Sequence, residues 1–235
     1  MDSTVSETQQ LRRKGQAPVS QGGRLGEPRA YVRRDCVVFR KTKDEFGGLS
    51  NMAPGYPLLV SGVAIRTSEA LYQACRYPHM PDVQRLIVNE TSPMTLKMRT
   101  RHYRSQSRPD WDDVRHKIMR WCLRVKLAEN WDAFGALLLA TGERDIVEDS
   151  AKDPYWGAID NGEGLLRGQN VLGRLLMELR SRLREERDAL MYVPALPLKD
   201  FLLLGQEIDD VGLQEGVVRG VRDDPFRLAY QARKG

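Results

Sequence analysis

The 235-residue chain is poor in the features that mark disulfide frameworks, metal sites and membrane spans. Its three cysteines (Cys36, Cys75 and Cys122) lie far apart and form no CxxC pair, as is typical of free thiols in the cytoplasm. None of the three histidines has a metal-ligand spacing to a cysteine or to another histidine, so we expect neither a metal nor another cofactor. No apolar run approaches the ~18–20 residues of a membrane span, and residues 1–30 lack the apolar stretch of a secretory signal. These absences predict a soluble, cytoplasmic protein.

The net charge of +5 is modest, but it is unevenly distributed along the chain. Residues 97–126 contain ten basic and three acidic side chains, which gives this segment a net charge of +7. Such a concentration of cations favours phosphate-bearing partners, either a nucleotide or a nucleic acid. The alternative interpretation is a solvated basic face without a ligand.

Composition divides the chain into three parts. Residues 1–30 are rich in Gln, Ser, Gly and Arg and show no periodicity, so we expect a disordered N-terminal lead. Residues 31–185 carry strand-like and helical patterns that are sufficient for one domain. Residues 186–235 contain too little apolar sequence for a core of their own, so this C-terminal extension is expected to dock on the main domain or on a partner.

Short strands and longer helices are predicted within the central part. A helix is expected to begin after Thr67 with Ser68 as its N-cap, and Gly142 stands where a helix C-terminus favours glycine. The predicted strands and the remaining predicted helices cover, in chain order, residues 36–40, 58–65, 111–130, 131–141 and 172–183.

Two cations lie on the apolar face of the helix predicted for residues 111–130. Projected at ~100° per residue, Arg115 and Lys126 fall within the arc that contains Trp111 and Ile118. A desolvated lysine has a lowered pKa, and its neutral amine can attack a sugar aldehyde to form a Schiff base. Alternatively, the stem of Lys126 packs against the core while its ammonium reaches solvent.

Four short motifs carry groups that are suited to binding or catalysis. Glu69 lies in the first turn of a helix, although an acid there also satisfies the helix dipole. The loop 46–51 offers backbone amides, a hydroxyl and an amide side chain, and alone it is only a turn. Asp153 stands close to Trp156, whose ring could stack on a base. Residues 168–170 open a helix, where free amides bind phosphate well.

Taken in order, these motifs resemble the NADAR (YbiA-like) family over residues 37–184. The matching residues are Phe46 with Leu-Ser-Asn at 49–51, Ser68 and Glu69 with Gln73, Ser-Pro-Met at 92–94, Trp111 with Lys117 and Met119, Lys126, Leu-Leu-Ala-Thr at 138–141, Asp153 with Trp156 and Gly157, and Asn170 with Leu172 and Gly173. The resemblance implies an α+β fold, a helix-rich single domain with a small β-sheet, in which the ligand lies between these motifs.

The known activities of this family are hydrolyses of N-glycosidic bonds. One branch acts on phosphorylated intermediates of the riboflavin pathway. Another branch removes ADP-ribose from guanine bases in DNA, as the antitoxin to a DarT-type DNA ADP-ribosyltransferase. This chain has Ala70 and Arg76 where many members have histidine and lysine, which weakens any mechanism that needs those groups there. Residues 72–78 and 201–204 look more like the toxin-associated branch.

The resemblance therefore implies a glycohydrolase that removes ADP-ribose from guanine in DNA and releases ADP-ribose. It implies no membrane partner, and it makes a DNA ADP-ribosyltransferase toxin a candidate partner. The expected substrate-binding residues are Phe46, Gly48, Ser50, Asn51, Gln73, Trp111, Trp156, Gly157, Gln169 and Asn170. The substrate diphosphate is expected at residues 168–170, and Arg101, Arg104 and Arg120 are expected to bind DNA phosphates.

Two mechanisms and three rival functions stay open from the sequence. In one mechanism, Glu69 or Asp153 stabilises an oxocarbenium-like transition state. In the other, Lys126 forms a Schiff base with ring-opened ribose, and the helix projection favours this role. The rival functions are an N-glycosidase for riboflavin intermediates, a non-catalytic ADP-ribose reader and a module that only binds nucleic acid.

Overall fold

The computed structural model describes residues 27–212 of the chain. The strands are Arg29–Val32 (β1), Cys36–Phe39 (β2), Leu58–Val60 (β3), Val63–Ile65 (β4), Asp145–Glu148 (β5), Ile159–Asp160 (β6), Leu165–Gly168 (β7), Tyr192–Val193 (β8), Leu202–Leu203 (β9), Gln206–Glu207 (β10) and Val211–Gly212 (β11). The α-helices are Ser68–Ala74 (α1), Pro81–Asn89 (α2), Pro93–Thr100 (α3), Trp111–Glu129 (α4), Trp131–Ala140 (α5) and Val171–Glu185 (α6).

The strands form several small sheets. β2 and β5 pair in parallel, so that Phe39 lies opposite Glu148 at their carboxyl ends. β1, β7 and β6 form an antiparallel sheet in that order, and an isolated bridge between Asp149 and Ala158 joins the end of β5 to the segment before β6. Helix α6 packs on β5. This arrangement brings the end of β5 to the start of α6.

Helix α4 forms the centre of the domain. Its buried side chains include Ile118, Cys122 and Val125, each of which has no exposed surface. The helix packs against α1, α5, α6, β3, β8 and β11. A single large core extends from Val37 to Val211. The protein is therefore a helix-rich α+β domain with small sheets, as the resemblance implied.

The segment after α6 belongs to the same core as the rest of the domain. The buried amide of Gln84 donates a hydrogen bond to the Leu202 carbonyl (2.8 Å) and accepts one from the Leu204 amide (2.6 Å). The indole of Trp121 lies edge-on to Phe201, with 5.0 Å between the ring centroids. Residues 186–212 thus pack on the main domain, whereas residues 213–235 lie outside the described part of the chain.

At three places the local structure differs from the sequence interpretation. The run 58–65 is a hairpin rather than one strand, because Ser61 and Gly62 adopt φ angles of 46° and 76° that reverse the chain. The N-cap of α1 is Thr67, whose hydroxyl accepts a hydrogen bond from the Ala70 amide (3.2 Å). The expected N-terminal lead, residues 1–30, is wrong for residues 29 and 30, which belong to β1. Residues 1–26 lie outside the described part of the chain.

Two groups of features are absent from residues 27–212. None of the helices there is both long and apolar enough to cross a membrane. The same residues contain no cluster of three or more His, Cys, Asp or Glu side chains that could hold a metal ion.

Candidate active site

Glu69 is held in place by two amide side chains. Its carboxylate accepts a hydrogen bond from Gln73 Nε2 (2.9 Å), one helical turn further along α1, and another from Asn51 Nδ2. Desolvation raises the pKa of Glu69, while the Gln73 hydrogen bond and the charge of Arg76 oppose this rise. The side chains of Glu69, Gln73 and Asn51, which were all predicted to belong to the ligand site, therefore lie together.

Lys126 lies beneath the loop that carries Asn51. Its side chain has no exposed surface, and Nζ donates hydrogen bonds to the carbonyls of Gly48 (2.7 Å) and Ser50 (2.9 Å). Nζ also lies 4.4 Å from the ring centroids of Tyr56 and Phe134. Desolvation lowers the pKa of Lys126 to about 7, whereas both carbonyls favour the protonated amine. Lys126 therefore fastens the loop to α4.

The burial of Lys126 and its lowered pKa are those of the desolvated amine that the sequence predicted, and its role as a nucleophile stays a prediction. Lys126 lies on the buried face of α4, as the helix projection predicted. In this structure its amine is enclosed by the loop carbonyls together with the rings of Tyr56 and Phe134. Attack on a sugar would require the loop around Ser50 to move away. The geometry supports a positioning role, in which Lys126 acts on Glu69 through the loop and Asn51.

Glu148 is a second carboxylate that the sequence interpretation did not identify. It ends β5, and desolvation raises its pKa to about 7, with further contributions from the charges of Glu69 and Asp153. The backbone of Glu148 is fixed because its amide donates to Asn170 Oδ1 (3.2 Å) and its carbonyl accepts from Ala158 (2.8 Å). Functional side chains often follow the carboxyl ends of parallel strands, so the position of Glu148 could have identified it. However, β5 has only four residues and was not predicted as a strand.

Asp153 has a structural role in the turn before β6. Its Oδ1 accepts hydrogen bonds from the amides of Tyr155 and Trp156, both at 3.0 Å, and its own amide donates to Ser150 Oγ (3.0 Å). The residue is exposed. Asp153 therefore shapes this turn, and its charge contributes to the raised pKa of Glu148, while its catalytic role stays a prediction.

Three aromatic rings pack together around Tyr72, which lies on the same helix as Glu69. Tyr72 packs against Trp111 with 4.9 Å between ring centroids and against Trp156 with 5.6 Å. The two tryptophans expected to contact the ligand are thus brought together around Tyr72. Trp111 is only 7% exposed, so Trp156, which is half-buried, offers the larger surface for stacking.

The start of α6 does not form the phosphate site that the sequence suggested. The amides of residues 169–172 all donate to carbonyls of residues 154–157, at 2.6 to 3.0 Å, so none of these four is free for a ligand. Asn170 is fully buried and donates from Nδ2 to the Ile146 carbonyl (2.8 Å). A Cβ on Gly157 would lie 2.5 Å from the Glu148 carbonyl oxygen, so this glycine allows the turn to approach β5. Residues 157, 169 and 170 hold the end of β5 in place.

The other predicted residues of loop 46–51 shape the loop. A Cβ on Gly48 would lie 2.5 Å from the Tyr56 hydroxyl, so no larger residue fits there without a shift. Ser50 is buried, and its hydroxyl accepts a hydrogen bond from the Met52 amide (3.2 Å). Phe46 is half-buried and lies 5.8 Å from the guanidinium carbon of Arg144. From this loop, Asn51 makes the side-chain contact with Glu69.

The three arginines expected to bind DNA phosphates lie on two different elements. Arg101 and Arg104 are exposed on a 3-10 helix, Arg101–Gln106, that follows α3. Arg120 lies on α4 and forms a two-point ion pair with Glu178 of α6, at 2.9 and 3.0 Å. Their binding of DNA stays a prediction, and the ion pair makes Arg120 less available for it than the other two.

Comparisons with known proteins give relatives for most of the chain. Residues 38–184 match the model of the NADAR domain family. The N-glycosidase YbiA of Escherichia coli is 35% identical over 161 residues, which are 67% of this chain and 94% of that protein. A riboflavin biosynthesis protein of Vibrio vulnificus is 32% identical over 157 residues, 67% of this chain but 41% of that protein. The NMR structure of E. coli YbiA matches with a TM-score of 0.55 at 34% identity, covering 66% of this chain and 93% of that one.

Replacement of Lys126 tests its positioning role. Lys126→Met keeps most of the side-chain volume but leaves the carbonyls of Gly48 and Ser50 without a donor, so we expect a loss of about 1–3 kcal/mol in the free energy of unfolding. Lys117→Met is the matched control, because Lys117 is exposed on the same helix and should have little effect. Urea denaturation followed by circular dichroism measures both variants. An unchanged unfolding midpoint for Lys126→Met would argue against the positioning role, and so would a substrate adduct trapped on Lys126 by borohydride during turnover.

Proposed function

This chain belongs to the NADAR family, and on that premise we propose that it hydrolyses an N-glycosidic bond with Glu69 and Glu148 as its catalytic carboxylates. The observation that carries the proposal is that the Glu69 carboxylate, held by Asn51 and Gln73, acts electrostatically on Glu148, while desolvation raises the pKa of both carboxylates. Relatives with 32–35% identity are named as an N-glycosidase and a riboflavin biosynthesis protein, which supports this reaction class.

Glu148 suits the role of general acid. Cleavage of the bond between ribose and a base leaves electrons on the departing nitrogen, which must take up a proton. With a pKa of about 7, Glu148 is protonated in a substantial fraction of molecules at neutral pH. After it has protonated the nitrogen, the Glu148 carboxylate can accept a proton from the water that attacks the sugar carbon. The enzyme then returns to its starting protonation state.

Glu69 suits the role of the carboxylate that stabilises the transition state. The sugar carbon becomes positively charged as the bond to nitrogen breaks, and a nearby anion lowers the energy of that state. The amide donors of Asn51 and Gln73 fix the Glu69 carboxylate and favour its ionised form. Two carboxylates with different hydrogen-bond environments can therefore serve two different roles.

As the substrate, we propose guanine in DNA that carries ADP-ribose, with ADP-ribose as the product and no metal required. The position of the exposed arginines supports this substrate. Ser107 Oγ donates to the Arg104 carbonyl and accepts from Arg76 Nε, both at 2.6 Å, so the 3-10 helix with Arg101 and Arg104 adjoins the carboxylate site. A DNA backbone on this helix would have a modified base within reach of Glu69. A DNA ADP-ribosyltransferase toxin would then attach the ADP-ribose that this protein removes.

Incubation with DNA that carries ADP-ribosylated guanine tests this substrate directly. We expect release of ADP-ribose and recovery of unmodified guanine, at the same rate with and without EDTA, measured by mass spectrometry. Hydrolysis of phosphorylated riboflavin intermediates without action on this DNA would favour the activity suggested by the Vibrio relative's name. Binding of ADP-ribose without hydrolysis of either substrate would identify a reader.

The pH dependence of turnover tests the role of Glu148. Because a general acid must be protonated, kcat should fall as the pH rises through about 7. Glu148→Gln should lower kcat by about 10²–10⁴-fold and remove this dependence. Glu207→Gln, an exposed carboxylate on β10, is the control and should match the wild type. Near-normal activity of Glu148→Gln, or a rate that rises through pH 7, would contradict the assignment.

The salt dependence of binding tests the DNA-facing arginines. Each phosphate contact contributes a slope of about −0.9 to a plot of log binding constant against log salt concentration for duplex DNA. The double variant Arg101→Gln, Arg104→Gln should therefore flatten the slope by roughly 2. Arg120→Gln should leave the slope unchanged, because Arg120 is paired with Glu178. If the wild type, the double variant and Arg120→Gln all had the same slope, Arg101 and Arg104 would belong to a solvated surface that does not contact DNA.

A further inference from the structure

Arg76 lies beside the carboxylate site just beyond the end of α1. Its Nε donates to Ser107 Oγ (2.6 Å), and its guanidinium carbon lies 5.1 Å from the centroid of the Trp111 ring. Among the residues that the structure describes, its terminal nitrogens have no hydrogen-bond or carboxylate partner. The guanidinium thus lies near the Trp111 ring, and its terminal N–H groups can still donate hydrogen bonds to a ligand.

Arg115 lies on α4, one turn beyond Trp111, and has a similar environment. Its guanidinium carbon lies 3.8 Å from the centroid of the Tyr155 ring. Its Nε is buried and makes no hydrogen bond to any residue within 27–212. The nearest carboxylate, on the exposed Asp112, is 3.5 Å away, which is long for a hydrogen bond. Arg115 therefore keeps most of its donors available.

The two arginines act on the same place. Arg76 faces Trp111, and Arg115 faces Tyr155, whose ring packs against Trp156 with 5.0 Å between the centroids. Tyr72 in turn packs against Trp111 and Trp156, beside Glu69. Two cations thus border one group of aromatic rings, which includes Tyr72 on the helix that carries Glu69.

We propose that Arg76 and Arg115 together bind a phosphate ester of the ribosyl substrate. The proposal rests on the proposed function, which supplies a ribosyl substrate at Glu69. Guanidinium groups that are stacked on aromatic rings are preorganised, and their edges match phosphate oxygens. An anion cannot approach Glu69 and Glu148 closely, so it needs cations at the border of the site.

This assignment also explains why the start of α6 is not needed for phosphate. The amides of residues 169–172 are bound to the turn 154–157, whereas the two guanidinium groups have donors to spare. The ligand chemistry is a phosphate on the ribose 5′ oxygen. A monoester and the diphosphate of ADP-ribose share this group, so both serve as probes.

Calorimetric titration with ADP-ribose, ribose 5-phosphate and unphosphorylated ribose tests the proposal. Arg76→Gln and Arg115→Gln should each weaken ADP-ribose binding by about 10- to 100-fold, as expected for hydrogen bonds to charged groups. Equal losses for ribose 5-phosphate would support a contact with the phosphate on the ribose 5′ oxygen. Losses confined to ADP-ribose would contradict that contact. Arg115→Lys should keep part of the affinity, because it keeps the charge.

The control is Arg85→Gln, which removes an exposed arginine on α2 and should bind as the wild type does. Unchanged ADP-ribose affinity in both glutamine variants would overturn the proposal, and so would an equal loss of affinity for unphosphorylated ribose. If ADP-ribose binds through these arginines but no N-glycoside is hydrolysed, the proposed function fails while the phosphate site stands. If hydrolysis proceeds and the variants bind normally, the phosphate site fails alone.

Discussion

The buried ammonium of Lys126 is the interaction on which the candidate active site depends. It gives two loop carbonyls, those of Gly48 and Ser50, a charged donor inside the core, where an unpaired carbonyl would be costly. The next residue, Asn51, then reaches Glu69. A central helix thereby fixes a loop, and the loop fixes a carboxylate. Through this chain of contacts, a lysine that is buried beneath the loop helps to determine the geometry of the candidate site.

The second carboxylate is positioned by a different set of contacts. Asn170 ties the start of α6 to β5, and the small size of Gly157 lets the turn approach the Glu148 carbonyl. These contacts are independent of the Lys126 loop, so Glu69 and Glu148 are held by two separate parts of the domain. Desolvation raises the pKa of Glu148 to about 7, with further contributions from the charges of Glu69 and Asp153. The fold thus gives Glu148 the pKa that the proposed acid needs near neutral pH.

The sequence predicted what depends on local spacing and could not predict what depends on long-range contacts. The limits of α4 and the pairing of Glu69 with Gln73 follow from helical periodicity, so they were accessible. Glu148 lies in a strand of four residues that has no pattern of its own. The ion pair of Arg120 with Glu178 joins residues 58 positions apart, and this separation hid it. The sequence predicted free amides for a phosphate at the start of α6. Their hydrogen-bond acceptors are carbonyls of residues 154–157, more than ten positions earlier, and local sequence does not show this pairing.

The departure from the family pattern at Arg76 bears on the choice between the two mechanisms. Arg76 stands where many members have a lysine, and an arginine is always charged and cannot attack a sugar aldehyde. The amine of Lys126 is buried against the loop that it holds. Catalysis through Glu69 and Glu148 needs no nucleophilic amine. An arginine at position 76 is then an advantage, since its permanent charge can bind an anion beside the two carboxylates without taking part in proton transfer.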